Sequence, residues 1–164
     1  MARTKQASHE VTYLSVTVPG YKGYSSYEDA RKSDCALSEE ILSNLSDTVA
    51  IAQRMVREGG DSLDSAVARD LGEIEEKCEA IAKFVGDLAL SPKAIGDLGG
   101  NGQMGELTSL DYLILEKVGY INQTLSAMEL EEGAGISPDG PESVRELVDD
   151  LNDLLKERAG LITG

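Results

Sequence analysis

The sequence predicts an all-α protein: an antiparallel four-helix bundle built on a long helical hairpin, with an extended N-terminal strap. Three observations predict it. Val67, Leu71, Ile74, Cys78, Ile81, Val85 and Leu88 follow one another at alternating steps of four and three, the period of a narrow apolar stripe along a helix in a coiled coil or bundle. Weaker stripes of the same kind recur in three further segments. The chain holds no tryptophan and one phenylalanine in 164 residues. Its core is therefore aliphatic, which suits helices packed side by side better than a β-sandwich.

Residues 1–25 are expected as a tail and strap, and residues 26–164 as the helical bundle. The first ten residues, MARTKQASHE, are polar and read as a flexible tail. VTYLSVTV then alternates, so Leu14, Val16 and Val18 share a face if the chain is extended. A lone strand leaves backbone groups unpaired; it needs the same strand of a second chain, or lies as a strap over the helices. Pro19-Gly20 ends the run. Ser26 followed by Asp29 reads as an N-cap with an acidic third residue.

The first bundle helix is expected over residues 27–58, with Leu37, Ile41, Leu45, Val49, Ala52 and Val56 on one side. At about 1.5 Å per residue it would be roughly 48 Å long. Gly59-Gly60 stops it, Asp61 or Ser62 caps the next helix, and that helix carries the main stripe to about Leu90. The short glycine connection makes an antiparallel hairpin of the pair. SPKAIGDLGGNGQMG follows as a loop with a short turn at residues 93–98. A third helix over residues 105–130 turns Leu107, Leu110, Ile114, Val118, Ile121, Leu125 and Met128 inward. EEGAGISPDG breaks the chain again. Pro141 suits the first turn of a fourth helix ending near Ala159, with Val144, Leu147, Val148, Leu151, Leu154 and Leu155 inward.

Charge is unevenly spread. Residues 1–32 carry five basic and three acidic groups, whereas the remainder carries 10 basic and 27 acidic, a net −17. Such a body repels phosphate backbones and anionic lipid heads, so no direct nucleic-acid partner is expected. Solubility, a salty cytosol or a basic partner would each account for the acidity. Cys35 and Cys78 have no CxxC spacing and fit a reducing compartment, Cys78 as a packing residue on the stripe; a disulfide between helices is the alternative. No apolar run reaches the ~20 residues of a transmembrane helix, and no signal-peptide core stands at the start. A cytoplasmic protein is expected.

No constellation carries catalysis. Gly100-Asn-Gly-Gln-Met-Gly105 matches GxGxxG, but the parallel strand that would aim a helix at pyrophosphate is missing, and the run reads as a loop. His9 is the only histidine, which leaves no His-rich metal site. Asp149, Asp150 and Asp153 offer too few converging oxygens on an exposed helix to hold a cation. Asp111 and Glu116 read as rim positions of the third helix. No cofactor, metal or catalytic residue is therefore assigned.

Two resemblances add expectations. Ala2-Arg-Thr-Lys-Gln6 resembles the start of a core histone tail, and Ala30-Arg-Lys-Ser33 resembles a later motif of the same tail. The order VPGYKGYSSYEDARKSD, a long helical hairpin, then LDYLILEKVGYINQTL resembles a group of small, uncharacterised prokaryotic helical proteins that occur beside membrane-stress or band-seven-type scaffold proteins. This chain replaces several of that group's arginines with acidic or small residues. The resemblance implies a helical bundle and a scaffold partner.

The reading that follows is a non-enzymatic helical interaction or scaffold-accessory protein. Tyr13, Tyr21, Tyr24 and Tyr27, four of the six tyrosines, are its expected partner-binding residues: tyrosine buries ring area while its hydroxyl stays bonded. The partner would be another protein or a second copy engaged through the strap. The same tyrosines could instead pin the strap to the helices. Alternatives are a ligand- or metal-binding bundle, for which Asp34, Lys117 and Tyr112 would have to converge, or an acidic decoy for a basic protein.

Overall fold

The computed structural model describes residues 2–130 and 139–164. Among them the chain is all-helical: α1 (Ala2–Thr17), α2 (Tyr27–Gly59), α3 (Ser65–Asp87), α4 (Pro92–Gly100), α5 (Met104–Leu130) and α6 (Asp139–Thr163). Of the break expected over residues 131–140, residues 131–138 lie outside the described residues, whereas Asp139 and Gly140, expected in a turn, already belong to α6.

The N-terminal segment departs from the extended strap and tail expected over residues 1–25. It forms α1, which packs along α5. Glu10, Leu14 and Val18 recur every four residues and are buried, whereas Val16 is 82% exposed. The period that decides the structure is thus four, not two. Packing of that single face on α5 overrides the β-propensity of VTYLSVTV, and a helix satisfies its own backbone groups where a lone strand could not.

After α1 the chain turns at Gly20 (φ 93°) and Gly23 (φ 80°), both in the left-handed region open to glycine. Ser33 on α2 holds this turn: its hydroxyl donates to Gly23 O at 2.9 Å and accepts from Lys22 N at 2.8 Å. Ser26 caps α2 as expected, its hydroxyl accepting from Asp29 N at 3.1 Å. The α2–α3 connection is a 3-10 turn at Gly60–Ser62, and the cap of α3 is Asp64, not Asp61 or Ser62; its side chain accepts from Ala66 N. The main stripe behaves as its spacing requires. Val67, Leu71, Ile74, Cys78, Ile81 and Val85 are all buried. α3 ends at Asp87, short of the expected Leu90.

The glycine-rich segment after α3 contains a helix. Ser91 caps α4 through Ala94 N at 3.2 Å, Pro92 occupies its first turn, and Ala94, Ile95 and Leu98 are buried. Ser91 N also donates to Ile162 O at 2.9 Å, tying this crossover to the end of α6.

α2 packs against α3 and α5, and α6 packs against the same two helices. Side-chain contacts give their directions. Asp34 of α2 lies at the level of Asp111 of α5, both meeting Arg158. Further along, Asn122 donates to Asn44 O at 3.3 Å, and Arg54 grips Glu129 at 3.0 Å through two nitrogens. Residue numbers rise together, so α2 and α5 run parallel. In α3 and α6, Asp70 and Glu73 meet Arg145, and Lys77 meets Asp149; this pair is parallel too. The antiparallel relation expected throughout is thus not the relation of α2 to α5 or of α3 to α6. The α4 crossover, which itself contacts α2 and α6, lets the second hairpin settle beside the first in the same sense.

Candidate functional site: a buried anchor beneath an open groove

The core contains a charged cluster at the start of α2 and α5 and the end of α6. Asp111 is fully buried and Arg158 is 3% exposed. The Arg158 Nε donates to Asp111 Oδ1 at 2.5 Å, its Nη1 to Asp34 Oδ1 at 2.9 Å and its Nη2 to the Tyr24 hydroxyl at 3.1 Å. The other carboxylate oxygen of Asp111 accepts from the Tyr21 hydroxyl at 2.8 Å and from the Tyr24 hydroxyl. Asp111 is not the rim residue expected from sequence. It is the acceptor on which the N-terminal turn, α5 and α6 converge.

The electrostatics follow from burial. Desolvation, then the Asp111 charge, raise both phenols; the guanidinium opposes part of this at Tyr24. Desolvation alone would lower the Arg158 pKa, but the Asp111 charge, then the Tyr24 phenol oxygen and the Asp34 charge, outweigh it and hold it well above its ordinary value. The phenols stay neutral donors and the guanidinium stays charged. Among the described residues no buried side-chain nitrogen or oxygen lacks a hydrogen-bond partner. Each ligand-like group in this cluster is engaged within the chain, the condition under which a buried ion pair is tolerated.

The four expected partner-binding tyrosines divide. Tyr21 and Tyr24 are 3% and 6% exposed and meet edge to face at 6.0 Å. Their hydroxyls meet Asp111 and join the N-terminal turn to the core, as the alternative pinning role of these tyrosines requires. Tyr13 and Tyr27 are partly exposed. Tyr13 packs edge to face on Tyr112 of α5 at 5.2 Å, and Tyr27 opens α2. The convergence of Asp34, Lys117 and Tyr112 does not occur: Asp34 goes to Arg158, Lys117 faces Asp150 at 3.9 Å, and Tyr112 goes to Tyr13. Asp149 pairs with Lys77. Among the described residues no group of three or more His, Cys, Asp or Glu could hold a metal ion.

Above the buried cluster, the outer side of α5 carries apolar residues that no sequence stripe singled out. Leu113 is 45% and Tyr120 56% exposed. They border two cavities that share Leu113. The larger, about 600 Å³, lies between Glu10 of α1, the start of α5 and the end of α6, with Leu110, Leu113 and Leu161 as its apolar lining. The smaller, about 410 Å³, continues along α5 past Leu113 and Tyr120 to Leu154 of α6. Gly102 and Gly105 of the GxGxxG match line the first cavity beside Glu10, Glu106 and Glu157, carboxylates that would repel a phosphate.

Both histone-tail-like runs are helical: residues 2–6 lie in α1, and residues 30–33 in α2, where Ala30 and Ser33 are buried. His9 is exposed on α1. No described helix is long and apolar enough to cross a membrane. Comparison of the chain with protein-family models, with curated proteins and with solved structures finds no match.

Proposed function

We propose that this protein is a non-enzymatic helical interaction module: a four-helix bundle of two hairpins, clamped by α1, that presents the outer side of α5 to a protein partner. One observation carries the reading. Leu113 and Tyr120 stand exposed along α5 beside two cavities that share Leu113, on a chain of formal net charge −15. Apolar side chains grouped in a concave track mark interaction sites more often than scattered ones do. The partner surface thus moves from the tyrosines of the N-terminal turn to α5, with Tyr13 alongside. A cytoplasmic location belongs to the same proposal; free thiols at Cys35 and Cys78 support a reducing compartment. A scaffold protein as the partner class rests on the resemblance described above.

The buried cluster supports this reading over a ligand-binding bundle, because its donors and acceptors already satisfy one another. The test is quantitative affinity capture from native extract with the full chain and with a Leu113→Asp/Tyr120→Asp variant. A protein retained by the native chain and lost from the variant, with thermal unfolding unchanged, is the expected outcome. Identical retention by both chains would remove α5 as the interaction surface.

A further inference from the structure

The groove has a rim as well as a floor, and the rim is acidic. The exposed Glu106 and Glu157 border the first cavity and the exposed Glu116 the second, while Glu10 in the first is buried and accepts from the Ser109 hydroxyl at 2.8 Å. Among the described residues Lys117 is the one basic residue lining either cavity, and it already faces Asp150. The floor runs from Leu161 and Leu110 through the shared Leu113 to Leu154 and Tyr120. From Glu106 to Tyr120 along α5 the track spans about 21 Å, or about four helical turns. An apolar trough of this length with charged walls has the form of a helix-in-groove site, read by side chains at i, i+3, i+4 and i+7.

We infer that this groove seats a basic amphipathic helix of a partner protein. The inference rests on the interaction reading above and specifies its partner. Charge decides among the occupants. A second copy of this chain would bring its own −15 against the carboxylate rim, and like charges facing each other across an interface are penalised. A phosphate-bearing ligand meets the same repulsion. A helix with leucines on one face and lysines or arginines on the flanks meets neither, since its apolar face covers Leu113 and Tyr120 while its flanks pair with Glu106, Glu116 and Glu157.

The test uses the full chain and three labelled peptides of about 18 residues, a length of about 27 Å when helical. One carries a leucine stripe flanked by lysines. Its mirror replaces lysine with glutamate. A third scrambles the leucine–lysine peptide so that no stripe forms. Fluorescence anisotropy is expected to give saturable one-to-one binding of the first peptide, at least about tenfold tighter than either control, and weakened on raising salt above about 0.1 M. Leu113→Asp, or the milder Tyr120→Ala, is expected to weaken it about tenfold, the loss of about 1.4 kcal/mol. Glu106→Lys with Glu157→Lys is expected to weaken the lysine peptide and admit the glutamate one.

Equal binding of the scrambled peptide, indifferent to Leu113→Asp, would overturn the inference in favour of general attraction to an acidic body. Equal binding of the glutamate peptide would overturn the charge argument yet leave α5 as an interaction surface. Failure of all three peptides, with a dimer that Leu113→Asp dissociates, would replace the basic helix with a second copy.

Discussion

Asp111 shows how much one side chain can organise. It accepts from two tyrosines of the N-terminal turn and from an arginine of α6, so its removal leaves Arg158 buried and underpaired. Asp111→Ala is expected to lower the unfolding free energy by about 3–5 kcal/mol, measured by urea denaturation; Tyr24→Phe should cost less, about 1.5–3 kcal/mol for a bond to a charged group. The same region makes the fold sensitive to alkali. Burial and the Asp111 charge hold Tyr21 and Tyr24 above the ordinary 10.0, and burial, with a lesser push from the Glu79 charge, moves the Cys78 thiol from 9.0 to about 12. As pH rises past about 9, the unfolded chain releases these protons while the native chain keeps them, so stability falls with pH. The contribution is complete below about pH 8. It is lost with a slope of up to about 1.4 kcal/mol per pH unit per group. Urea midpoints between about pH 8 and pH 11 should decline for the native chain, and less steeply for Cys78→Ala from pH 9 and for Tyr21→Phe from pH 10. Both key charges had a signature in the sequence. Asp111 sits between Leu107 and Ile114, and Arg158 between Leu155 and Ile162, each in step with its helix's inward stripe. An acid and a base on two inward stripes form a pairing signal, visible only once the apolar positions around them are taken as a register that a charge can also occupy.

At the scale of elements, periodicity was legible wherever one stripe dominated. α2 begins and ends within a residue of its expected limits, because Ser26 and the Gly59-Gly60 pair punctuate a long regular pattern. α1 and α4 were not legible. VTYLSVTV carries two competing periods, and α5 selects the four-residue one; α4 hides a capped helical stripe of Ala94, Ile95 and Leu98 among glycines. The two readings of residues 11–18 make opposite predictions. A strand would give Leu14 and Val16 the same burial, whereas α1 buries Leu14 fully and exposes Val16. Leu14→Ala is expected to cost about 2–5 kcal/mol, and Val16→Lys to stay within about 0.5 kcal/mol of the native chain. Equal losses at the two positions, by chemical denaturation, would count against the helix. α5 was half legible. Its inward stripe was evident from sequence, but Leu113 and Tyr120 lie outside that stripe, and only the neighbours of α5 show which of its apolar residues remain uncovered.

At the scale of the whole molecule, the formal charge of −15 repels itself in the folded chain. Surface repulsion of this kind is screened over a Debye length of about 10 Å at 0.1 M salt, while the buried Asp111–Arg158 pair is shielded from salt by its surroundings. Raising NaCl from about 0.05 M to about 0.5 M is therefore expected to raise the thermal midpoint by about 3 °C, equivalent to about 1 kcal/mol for a chain of this size; a fall on calorimetry would mean that the exposed ion pairs outweigh the repulsion. The sequence by itself determined that the molecule is helical, where its long helices run and most of the stripe each buries, because these follow from spacing within a segment; in the second half of α2 the buried face drifts to Thr48, Ile51 and Met55 and leaves Val56 exposed. Tertiary structure decided what each stripe meets. It set the two hairpins side by side with α2 parallel to α5, made a helix of residues 2–17, and placed Asp111 and Arg158 face to face, because those outcomes depend on the path of the α4 crossover and on surfaces that no single segment contains.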